Sequence, residues 1–409
     1  MPDRNKPIRV LYINHYGIFG GSQRSILELI AAFPEGSVSS YFLSPRGKGE
    51  EIFRSMNIPY TTIPGGLSKF DHTRMGYYKG FRWLILIREL LYAVPTMIVF
   101  WRFRKKAREF DLVHINEITC VLPLILAGKW FKKPVLLHAR AVFHNDSANK
   151  LTAILLRIFD KYASCIVPID HTVAASIRLP SKLRVVHNSF SRNSRLSASE
   201  NTFAARLAGI PKRKLNIGFI GAIHTNKGIV ELLEAIKICR ANDLDVALIV
   251  AGNGNAQTRA LLRAGMNLLG LNQDKSSILT DFISGNALED YIHLLGFSTN
   301  TNCFFEYIDV LCFPSYYNAL GRPVFEAAFF RKPSIVAIEN PYPDTFIDGV
   351  TGLQIRERDP ESLYGAIKKM YDNPSLIIDM GEQAYQLAVT NFNSERNAKK
   401  MLAIYESLL

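Results

Sequence analysis

The sequence predicts an α/β protein with two Rossmann-like, doubly wound parallel-sheet domains that face a cleft, and three observations support this class. Short apolar runs rich in β-branched residues alternate with helical patterns along the chain. This alternation forms two consecutive series, separated by a polar, serine-rich stretch at 191–201. The chain has 409 residues, which is too many for one compact core and suits two domains.

The first series opens with a predicted strand over Ile8–Asn14, followed by a glycine-containing loop at 17–21 and a helical pattern at 26–33. That order is typical of the first unit of a doubly wound sheet. Further strands are predicted at 41–43, 112–115, 135–138, 165–169 and 183–186. We therefore assign residues 1–190 to an N-terminal domain.

The second series begins with a predicted strand and glycine turn over Asn216–Gly221. Further strands are predicted at 246–251, 291–295, 310–313 and 334–337. We assign residues 191–214 to a linker, 215–390 to a C-terminal domain, and 391–409 to a C-terminal helix that packs back on the N-terminal domain. Right-handed crossovers bring the carboxyl ends of parallel strands together, so we expect the ligand sites of both domains to face the cleft.

The composition is that of a globular protein, with 48% hydrophobic and 21% charged residues. The five cysteines lie in apolar runs without C-x-x-C spacing, which predicts buried free thiols rather than a zinc site or a disulfide framework. No signal-peptide pattern follows Met1, so we expect a cytoplasmic protein. The net charge of +13 favours anionic partners. Nucleic acid is not expected among them, because no helix-turn-helix, RNP or zinc-finger pattern is found.

An apolar segment at 84–101 does not fit simple core packing. It contains the charge pair Arg88–Glu89 and Pro95, and basic residues flank it on both sides. These interruptions argue against a transmembrane span, which needs about 20 apolar residues without central charges. Two other interpretations of the segment are a buried helix pair of the N-terminal domain and an interfacial element that rests on anionic lipid.

Glycine turns follow several of the predicted strands. Gly20 and Gly21 follow the first strand, where glycine allows a tight loop to approach a ligand closely. The dinucleotide pattern G-x-G-x-x-G is absent there, which argues against an NAD enzyme. In the second series such turns contain Gly221, Gly252, Gly254 and Gly296, the last followed by Phe297. Successive glycine turns at the strand ends of one sheet indicate a ligand site.

Lys227 and Gly228 follow the first glycine turn of the second series, at the start of a predicted helix. A lysine at this position can reach phosphate oxygens as a point charge. The alternative is a solvated lysine, which the helix dipole disfavours at a helix start.

The stretch 313–327 carries the most specific pattern. Gly321, with proline two residues later, predicts a helix start whose free amides around Leu320, Gly321 and Arg322 would bind a diphosphate. Glu326 falls about one turn into this helix, where it can accept hydrogen bonds from ribose hydroxyls or merely complement the helix dipole. Arg322 either adds a phosphate contact or faces solvent.

The run Asn318–Glu326, followed by Lys332–Pro333 and Asp348–Leu353, resembles the signature of retaining GT-B glycosyltransferases of family 4, the glycosyl transferases group 1. The resemblance covers nearly the whole chain. In the first domain it rests on Gly20, Gly21 and Val186–Asn188. In the second domain it rests on Gly221, Lys227, Gly228, Gly252, Gly254, Gly296 and Phe297.

The resemblance implies that the C-terminal domain binds the donor, a nucleoside-diphosphate sugar. Lys227 would hold the diphosphate, Gly296 and Phe297 would contact the base, and Glu326 would bind the ribose. The rest of the donor site would be formed by Asn318, Ala319, Leu320, Gly321 and Arg322. The N-terminal domain would bind the acceptor, with His138 facing the reacting sugar. The catalytic set would be His138, Lys227 and Glu326.

The resemblance also implies a hexosyltransferase that acts on an acceptor hydroxyl with retention. Lys227 and the predicted helix start already supply positive charge for the leaving diphosphate, so we expect no metal and no other cofactor. The expected setting is bacterial cell-surface polysaccharide or glycolipid synthesis, with a glycan or lipid-linked acceptor. The protein would then be peripheral on the inner face of the plasma membrane, in contact with an anionic membrane surface.

Two positions depart from the family pattern, which has two glutamates with seven residues between them. Glu326 is the second glutamate, whereas Asn318 occupies the first position, and Ala222 stands where many members have an arginine. Losing one charge-assisted contact costs about 1.5–3 kcal/mol. A glycosyltransferase-like protein that binds a sugar nucleotide or a partner without catalysis is therefore the alternative, and a sugar-nucleotide epimerase is a third interpretation.

Overall fold

The computed structural model describes residues 6–15, 17, 20–47, 49–73, 83–144, 150–192, 201–252, 276–316 and 320–409. The chain divides into two compact units. Unit 1 comprises Met1–Ser191 and Phe392–Leu409, and unit 2 comprises Arg192–Asn391.

Unit 1 contains a parallel sheet with the strand order β3-β2-β1-β4-β5-β6. Its strands are β1 (Ile8–Ile13), β2 (Val38–Pro45), β3 (Tyr60–Ile63), β4 (Leu112–Ile115), β5 (Val135–Ala139) and β6 (Cys165–Pro168). The winding direction reverses between β1 and β4, which makes the carboxyl ends of these two strands the topological switch point.

Helices connect the strands of unit 1. They are α1 (Gly21–Ala31), α2 (Gly49–Ser55), α3 (Trp83–Phe103), α4 (Val121–Trp130), α5 (Lys150–Tyr162) and α6 (His171–Ser176). Strands β4, β5 and β6 are buried along their whole length, as expected for parallel strands covered on both faces.

Unit 2 repeats the architecture with the strand order β12-β11-β10-β7-β8-β9, again parallel. Its strands are β7 (Leu215–Ile220), β8 (Val246–Ala251), β9 (Ile292–Gly296), β10 (Val310–Phe313), β11 (Ser334–Val336) and β12 (Gly352–Gln354). Its helices are α7 (Asn201–Ala208), α8 (Ile229–Ala241), α9 (Ser276–Gly285), α10 (Asn302–Tyr307), α11 (Arg322–Phe329), α12 (Pro360–Asp372) and α13 (Pro374–Asn391). The switch point of this sheet lies between β7 and β10.

The last helix, α14 (Ser394–Ser407), belongs to unit 1. It begins at Asn393, whose Oδ1 accepts from the backbone N–H of Arg396 at 2.9 Å and so caps the helix. Asn397 donates to the carbonyl of Asn188 at 3.3 Å, and Tyr405 is fully buried. The final residues of the chain are therefore part of the unit that its first 191 residues form.

The predicted two-domain α/β class is confirmed, since both units have a six-stranded parallel sheet within the described residues. Some predicted elements differ from the structure. The strand predicted at 183–186 is only an isolated bridge between Leu183 and Ile166, and the range predicted as a linker contains α7. Strands β3 and β12 were not predicted because their sequences, YTTI and GLQ, do not form the continuous apolar run that marks the other strands.

The apolar segment at 84–101 forms one continuous helix, α3, which contains Pro95. Its interpretation as a buried helix pair is wrong, because most of its large apolar side chains are exposed. In the described part of the chain, α3 is the one helix long and apolar enough to cross a membrane by length and composition.

Candidate functional site

The glycine turns at the carboxyl ends of β7, β8 and β9 lie side by side in unit 2. The amide of Gly221 donates to the carbonyl of Ala251 at 3.0 Å, and the amide of Gly252 donates to the carbonyl of Gly296 at 2.8 Å. Three predicted site residues, Gly221, Gly252 and Gly296, are thus brought together along one edge of the sheet, next to the switch point.

Two of the turns require glycine for a packing reason. Gly252 has φ +148°, and a Cβ atom there would lie 1.8 Å from the carbonyl oxygen of Gly221. Gly228 has φ +70°, and its Cβ would lie 2.1 Å from the carbonyl oxygen of Pro314. The absence of a side chain at Gly228 therefore allows the backbone of the loop after β7 to contact the backbone of the loop after β10.

Lys227 lies at this junction between the two loops. It ends a 3₁₀ turn over Thr225–Lys227, and its Nζ is 5.3 Å from the ring centroid of Phe313 at the end of β10. The same Phe313 ring limits the space beside Gly321, because a Cβ on Gly321 would lie 2.4 Å from it. The ammonium group and the start of α11 therefore share one aromatic neighbour.

The start of α11 has the predicted form, with Gly321 as its N-cap and proline in the first turn. Glycine has no side chain to cap the first amides of the helix. Backbone amides at such a helix start, together with the helix dipole, favour an anion. An ammonium group and a helix start close together can thus neutralise the charge of a diphosphate.

Arg322 and Glu326 form a nearly buried ion pair within α11. Arg322 donates to Oε1 of Glu326 from Nε at 2.9 Å and from Nη2 at 2.7 Å. The Arg322 side chain is only 11% exposed, so the alternative in which it faces solvent is wrong. The i,i+4 spacing of Arg322 and Glu326 permits such a pair on a helix. The sequence alone does not show that the two side chains meet.

The remaining predicted donor residues have varied surroundings. Phe297 is 56% exposed directly after β9, and Leu320 is half-buried. Ala222, which stands where many members of the family have an arginine, is exposed. Gly254, Asn318 and Ala319 lie outside the described residues.

In unit 1, polar side chains gather at the carboxyl ends of β1, β4 and β5, around the switch point. Arg140 donates to Oδ1 of Asn116 and to Oδ1 of Asn188, both at 2.7 Å. Asn116 in turn lies 3.4 Å from Oδ1 of Asn14 and donates to the carbonyl of Ser22 in the first turn of α1 at 3.2 Å. Of these asparagines, only Asn188 belongs to a motif of the family resemblance. A buried asparagine directly after an apolar strand is the signal that would have revealed the others.

Gly20 is the N-cap of α1, and both Gly20 and Gly21 are exposed. The backbone of Gly20 has φ −129°, which any residue adopts, and a Cβ there would meet nothing within 4 Å. The expectation that this loop needs glycine for its conformation is therefore wrong at Gly20.

His138 lies in β5 and is connected to the C-terminal helix by a chain of buried hydrogen bonds. Its Nδ1 is 3.0 Å from Nε2 of His114, a β4 residue. Nδ1 of His114 is 2.6 Å from Oη of Tyr405, which is 3.2 Å from Oη of Tyr12. Tyr12, His114 and Tyr405 were not predicted as site residues, since their contacts join parts of the chain that are up to 393 residues apart.

Arg140 fixes the direction of this chain. Its Nη2 is 3.3 Å from Nδ1 of His138, and a guanidinium can only donate. Nδ1 of His138 is therefore an acceptor, so Nε2 of His114 donates to it. Nδ1 of His114 then accepts from Tyr405, and Tyr405 accepts from Tyr12.

This assignment leaves the proton of His138 on Nε2. That atom is buried, and no described residue accepts its hydrogen bond. Burial, with the charge of Arg140 acting in the same direction, lowers the pKa of both His114 and His138 well below the usual range. Both rings are thus neutral, as the assignment requires, and His138 presents an N–H donor.

Two further titratable groups have strongly shifted pKa values near this cluster. Burial raises the pKa of Glu117, two residues after the end of β4, to about 7, although Glu117 accepts from the amide of Ile118 at 2.9 Å. Burial and the charges of Lys69 and Arg140 lower the pKa of His15, after β1, to about 3. Such shifts are common at functional sites.

The sequence matches two protein families in succession. Residues 19–192 match the family described as Glycosyltransferase Family 4, and residues 202–387 match the family described as Glycosyl transferases group 1.

Characterised relatives and solved structures agree with these matches. The chain is 26% identical over 246 residues to the lipopolysaccharide core biosynthesis mannosyltransferase LpcC of Rhizobium leguminosarum bv. viciae, with 59% of this chain and 65% of the relative covered. It is 23% identical over 193 residues to the capsular polysaccharide biosynthesis glycosyltransferase CapM of Staphylococcus aureus, with 47% and 46% covered. The matched part thus spans less than two thirds of the length of these relatives.

The fold is similar to that of Anabaena Alr3699/HepE, whose structure was solved in complex with UDP and glucose. The TM-score is 0.74 at 15% identity, with 98% of this chain and 100% of that chain covered. At this identity the likeness is one of fold.

Proposed function

The chain belongs to the GT4-type glycosyltransferases of GT-B fold, and from this premise we propose that it moves a sugar from a nucleoside-diphosphate donor to an acceptor hydroxyl with retention of the anomeric configuration. The observation that carries the proposal is the junction in unit 2 where Lys227 and the start of α11 contact the Phe313 ring, with Glu326 one turn into the helix.

Unit 2 would bind the donor. The Lys227 ammonium and the α11 amides would neutralise the diphosphate, first in the bound donor and then as charge develops on the leaving group. Glu326 would accept from the ribose hydroxyls, since its ion pair with Arg322 uses only Oε1. Gly296 and Phe297 would contact the base. Because positive charge is already supplied, we propose that transfer needs no metal ion.

Unit 1 would bind the acceptor and the reacting sugar. His138, with its proton on Nε2, would donate a hydrogen bond to a sugar oxygen. The polar cluster around Arg140 and Asn116 lies at the switch point of the same sheet, where α/β proteins bind ligands.

The setting we propose is the synthesis of a bacterial surface polysaccharide or glycolipid, at the inner face of the plasma membrane. The relatives LpcC and CapM act, by their names, in lipopolysaccharide core and capsular polysaccharide biosynthesis. The acceptor would then be a glycan or a lipid-linked glycan.

The first test is nucleotide release by the purified full-length protein, using a panel of UDP-, GDP- and dTDP-sugars with and without bacterial lipid extract. We expect release from one donor, stimulated by lipid. If a folded protein releases nucleotide from none of the donors, the non-catalytic alternative is favoured. Asn318→Glu would then be the variant to test for gain of activity.

Two variants test the donor site. Lys227→Ala should weaken donor binding at least about tenfold, because it removes a charge-assisted contact. Glu326→Gln should raise the donor KM while keeping the length of the side chain. Lys237→Ala, which alters an exposed lysine of α8, is the control and should bind donor normally. Unchanged donor affinity in Lys227→Ala would remove that residue from the site.

A further inference from the structure

Helix α3 carries a continuous apolar stripe on its exposed side. The exposed side chains are Trp83, Leu84, Ile87, Leu90, Leu91, Val94, Met97, Ile98 and Trp101. They recur every three or four residues, so they share one side of the helix along its whole length. Leu91, near the middle, is 69% exposed. An exposed apolar surface of this extent indicates an interaction site.

The opposite side of α3 is fastened to unit 1. Glu89 and Thr96 are buried, and they accept hydrogen bonds from the backbone amides of Lys69 at 3.1 Å and Ser68 at 2.9 Å. Nearer the end of the helix, Phe100 is fully buried and stacks on Phe131, the residue directly after α4, with ring centroids 5.3 Å apart.

This attachment excludes a transmembrane arrangement of α3 in the folded protein. A span would expose Glu89 and the buried phenylalanines to lipid on all sides and would separate them from their partners in unit 1. The helix can therefore offer only its outer side to a membrane, which is the arrangement of an interfacial helix.

The charges around α3 match an anionic surface. From 102 to 109 the chain has five basic residues and one acidic residue, and Arg102, Lys105 and Arg108 are exposed. Arg88, on the helix itself, has a side chain that is 52% exposed. Basic residues beside an exposed apolar stripe are attracted by anionic lipid.

The two tryptophans mark the ends of the stripe. Trp83 and Trp101 are separated by 18 residues, which is five full turns, so they point in the same direction about 27 Å apart. Tryptophan favours the boundary between headgroups and acyl chains. A helix that lies flat in this boundary would place both rings at the same depth.

We propose that α3 docks unit 1 on the surface of an anionic lipid bilayer, lying in the plane of the interface with its apolar stripe among the acyl chains and the 102–108 basic cluster against the headgroups. This inference names the partner of the proposed function and rests on that function only for the idea that the acceptor is lipid-linked. Docking itself needs no turnover.

The first experiment measures binding of the full-length protein to vesicles of phosphatidylcholine with and without phosphatidylglycerol, by flotation. We expect binding to the anionic vesicles that falls with added salt. Leu91→Ser should reduce binding about tenfold, because it removes an apolar side chain that would enter lipid. Ile378→Ser is the matched control, since Ile378 is 72% exposed on α13 of unit 2, and it should bind normally.

The second experiment measures depth. The chain has three tryptophans, so Trp130→Phe leaves only Trp83 and Trp101 as fluorescent reporters. Lipids brominated high on the acyl chain should quench them more strongly than lipids brominated near the bilayer centre. A protein whose only tryptophan is Leu91→Trp, with Phe at 83, 101 and 130, should show the same shallow quenching.

Several outcomes would overturn the proposal. Deep quenching at position 91 would indicate a span. Equal binding by Leu91→Ser and wild type would show that the stripe does not contact lipid. Absence of vesicle binding, with a dimer in sedimentation that Leu91→Ser abolishes, would assign the stripe to a second copy of the chain. Transfer of sugar to a soluble acceptor should be the same for Leu91→Ser and wild type, because docking is not needed for it. This activity therefore distinguishes a failure of the docking proposal from a failure of the proposed function.

Discussion

At the scale of single residues, the cation Arg140 determines which tautomer His138 adopts. A neutral histidine pair can share its hydrogen bond in either direction, and the chain from Tyr12 to His138 has two self-consistent arrangements. Because Arg140 approaches Nδ1 of His138, only the arrangement with the His138 proton on Nε2 avoids two opposed donors. Arg140 is then the residue that positions the His138 proton, and Tyr405 donates to His114 farther along the same chain.

Arg140→Met tests this role. Removing the guanidinium takes away the group that can only donate to Nδ1 of His138, so both arrangements of the hydrogen-bond chain become possible. We expect a mixture of His138 tautomers in long-range ¹⁵N–¹H NMR spectra and about a tenfold lower kcat with little change in donor KM.

Tyr12→Phe is the control for that experiment. Tyr12 lies at the far end of the chain, where it donates to Tyr405, so the loss of its hydroxyl should leave the tautomer of His138 as in the wild type. A wild-type spectrum in which His138 carries its proton on Nδ1 would contradict the assignment.

Glu117 provides a test by pH. Burial raises its pKa in the folded protein from an ordinary 4.5 to about 7, so the folded state favours the protonated form. Stability is therefore lost as the pH rises from 4.5 through 7, where the unfolded chain ionises more readily. Glu117→Gln should remove this loss. Between pH 4.5 and 7, the free energy of unfolding of the variant should therefore rise relative to that of the wild type by roughly 3 kcal/mol. Denaturant unfolding at several pH values measures it, and a constant difference between the two proteins would refute the shifted pKa.

At the scale of elements, glycines decide how closely neighbouring loops approach. Gly228 joins the turn carrying Lys227 to α8, and it lets that turn contact the loop after β10. The proposed donor site therefore depends on a close backbone contact that only glycine permits at position 228.

Gly228→Ala should destabilise unit 2 by at least about 1 kcal/mol, because the residue has φ +70° and the new Cβ would collide with the carbonyl of Pro314. It should also weaken donor binding by displacing Lys227. Gly365→Ala in α12 is the matched control, since a Cβ there meets nothing, and it should stabilise by about 0.5–1 kcal/mol. Thermal unfolding of both variants checks the opposite signs, and equal effects would show that the contact with Pro314 is unimportant.

At the scale of the whole molecule, the chain completes its first unit with its last residues. Met401 and Tyr405 of α14 are fully buried in unit 1, beside α1. Unit 1 is therefore incomplete until α14 has been synthesised.

Met401→Ala tests this dependence. The cavity should destabilise unit 1 by about 2–5 kcal/mol. Hydrogen exchange should accelerate at the amides of β1 and β4 but not at those of β7 and β8. Lys399→Ala, an exposed change on the same helix, should leave exchange unaltered. Equal acceleration in both units would mean that they unfold together.

Local patterns in the sequence determined the architecture of this protein. The alternation of apolar runs and helical patterns predicted two parallel-sheet units, and the glycine turns and the proline after Gly321 predicted the loops around Lys227 and the start of α11. These signals are readable because strand period, helix period and glycine conformation depend on neighbouring residues.

Only the tertiary structure decided which residues meet. The ion pair of Arg322 with Glu326, the hydrogen bonds from Tyr405 to His138 and the choice of which side of α3 faces outward all depend on packing. The last two involve contacts between distant parts of the chain, for which no local period exists. Burial in turn shifts the pKa values of Glu117 and the histidines, because removal from water penalises charge in a way that composition alone does not reveal.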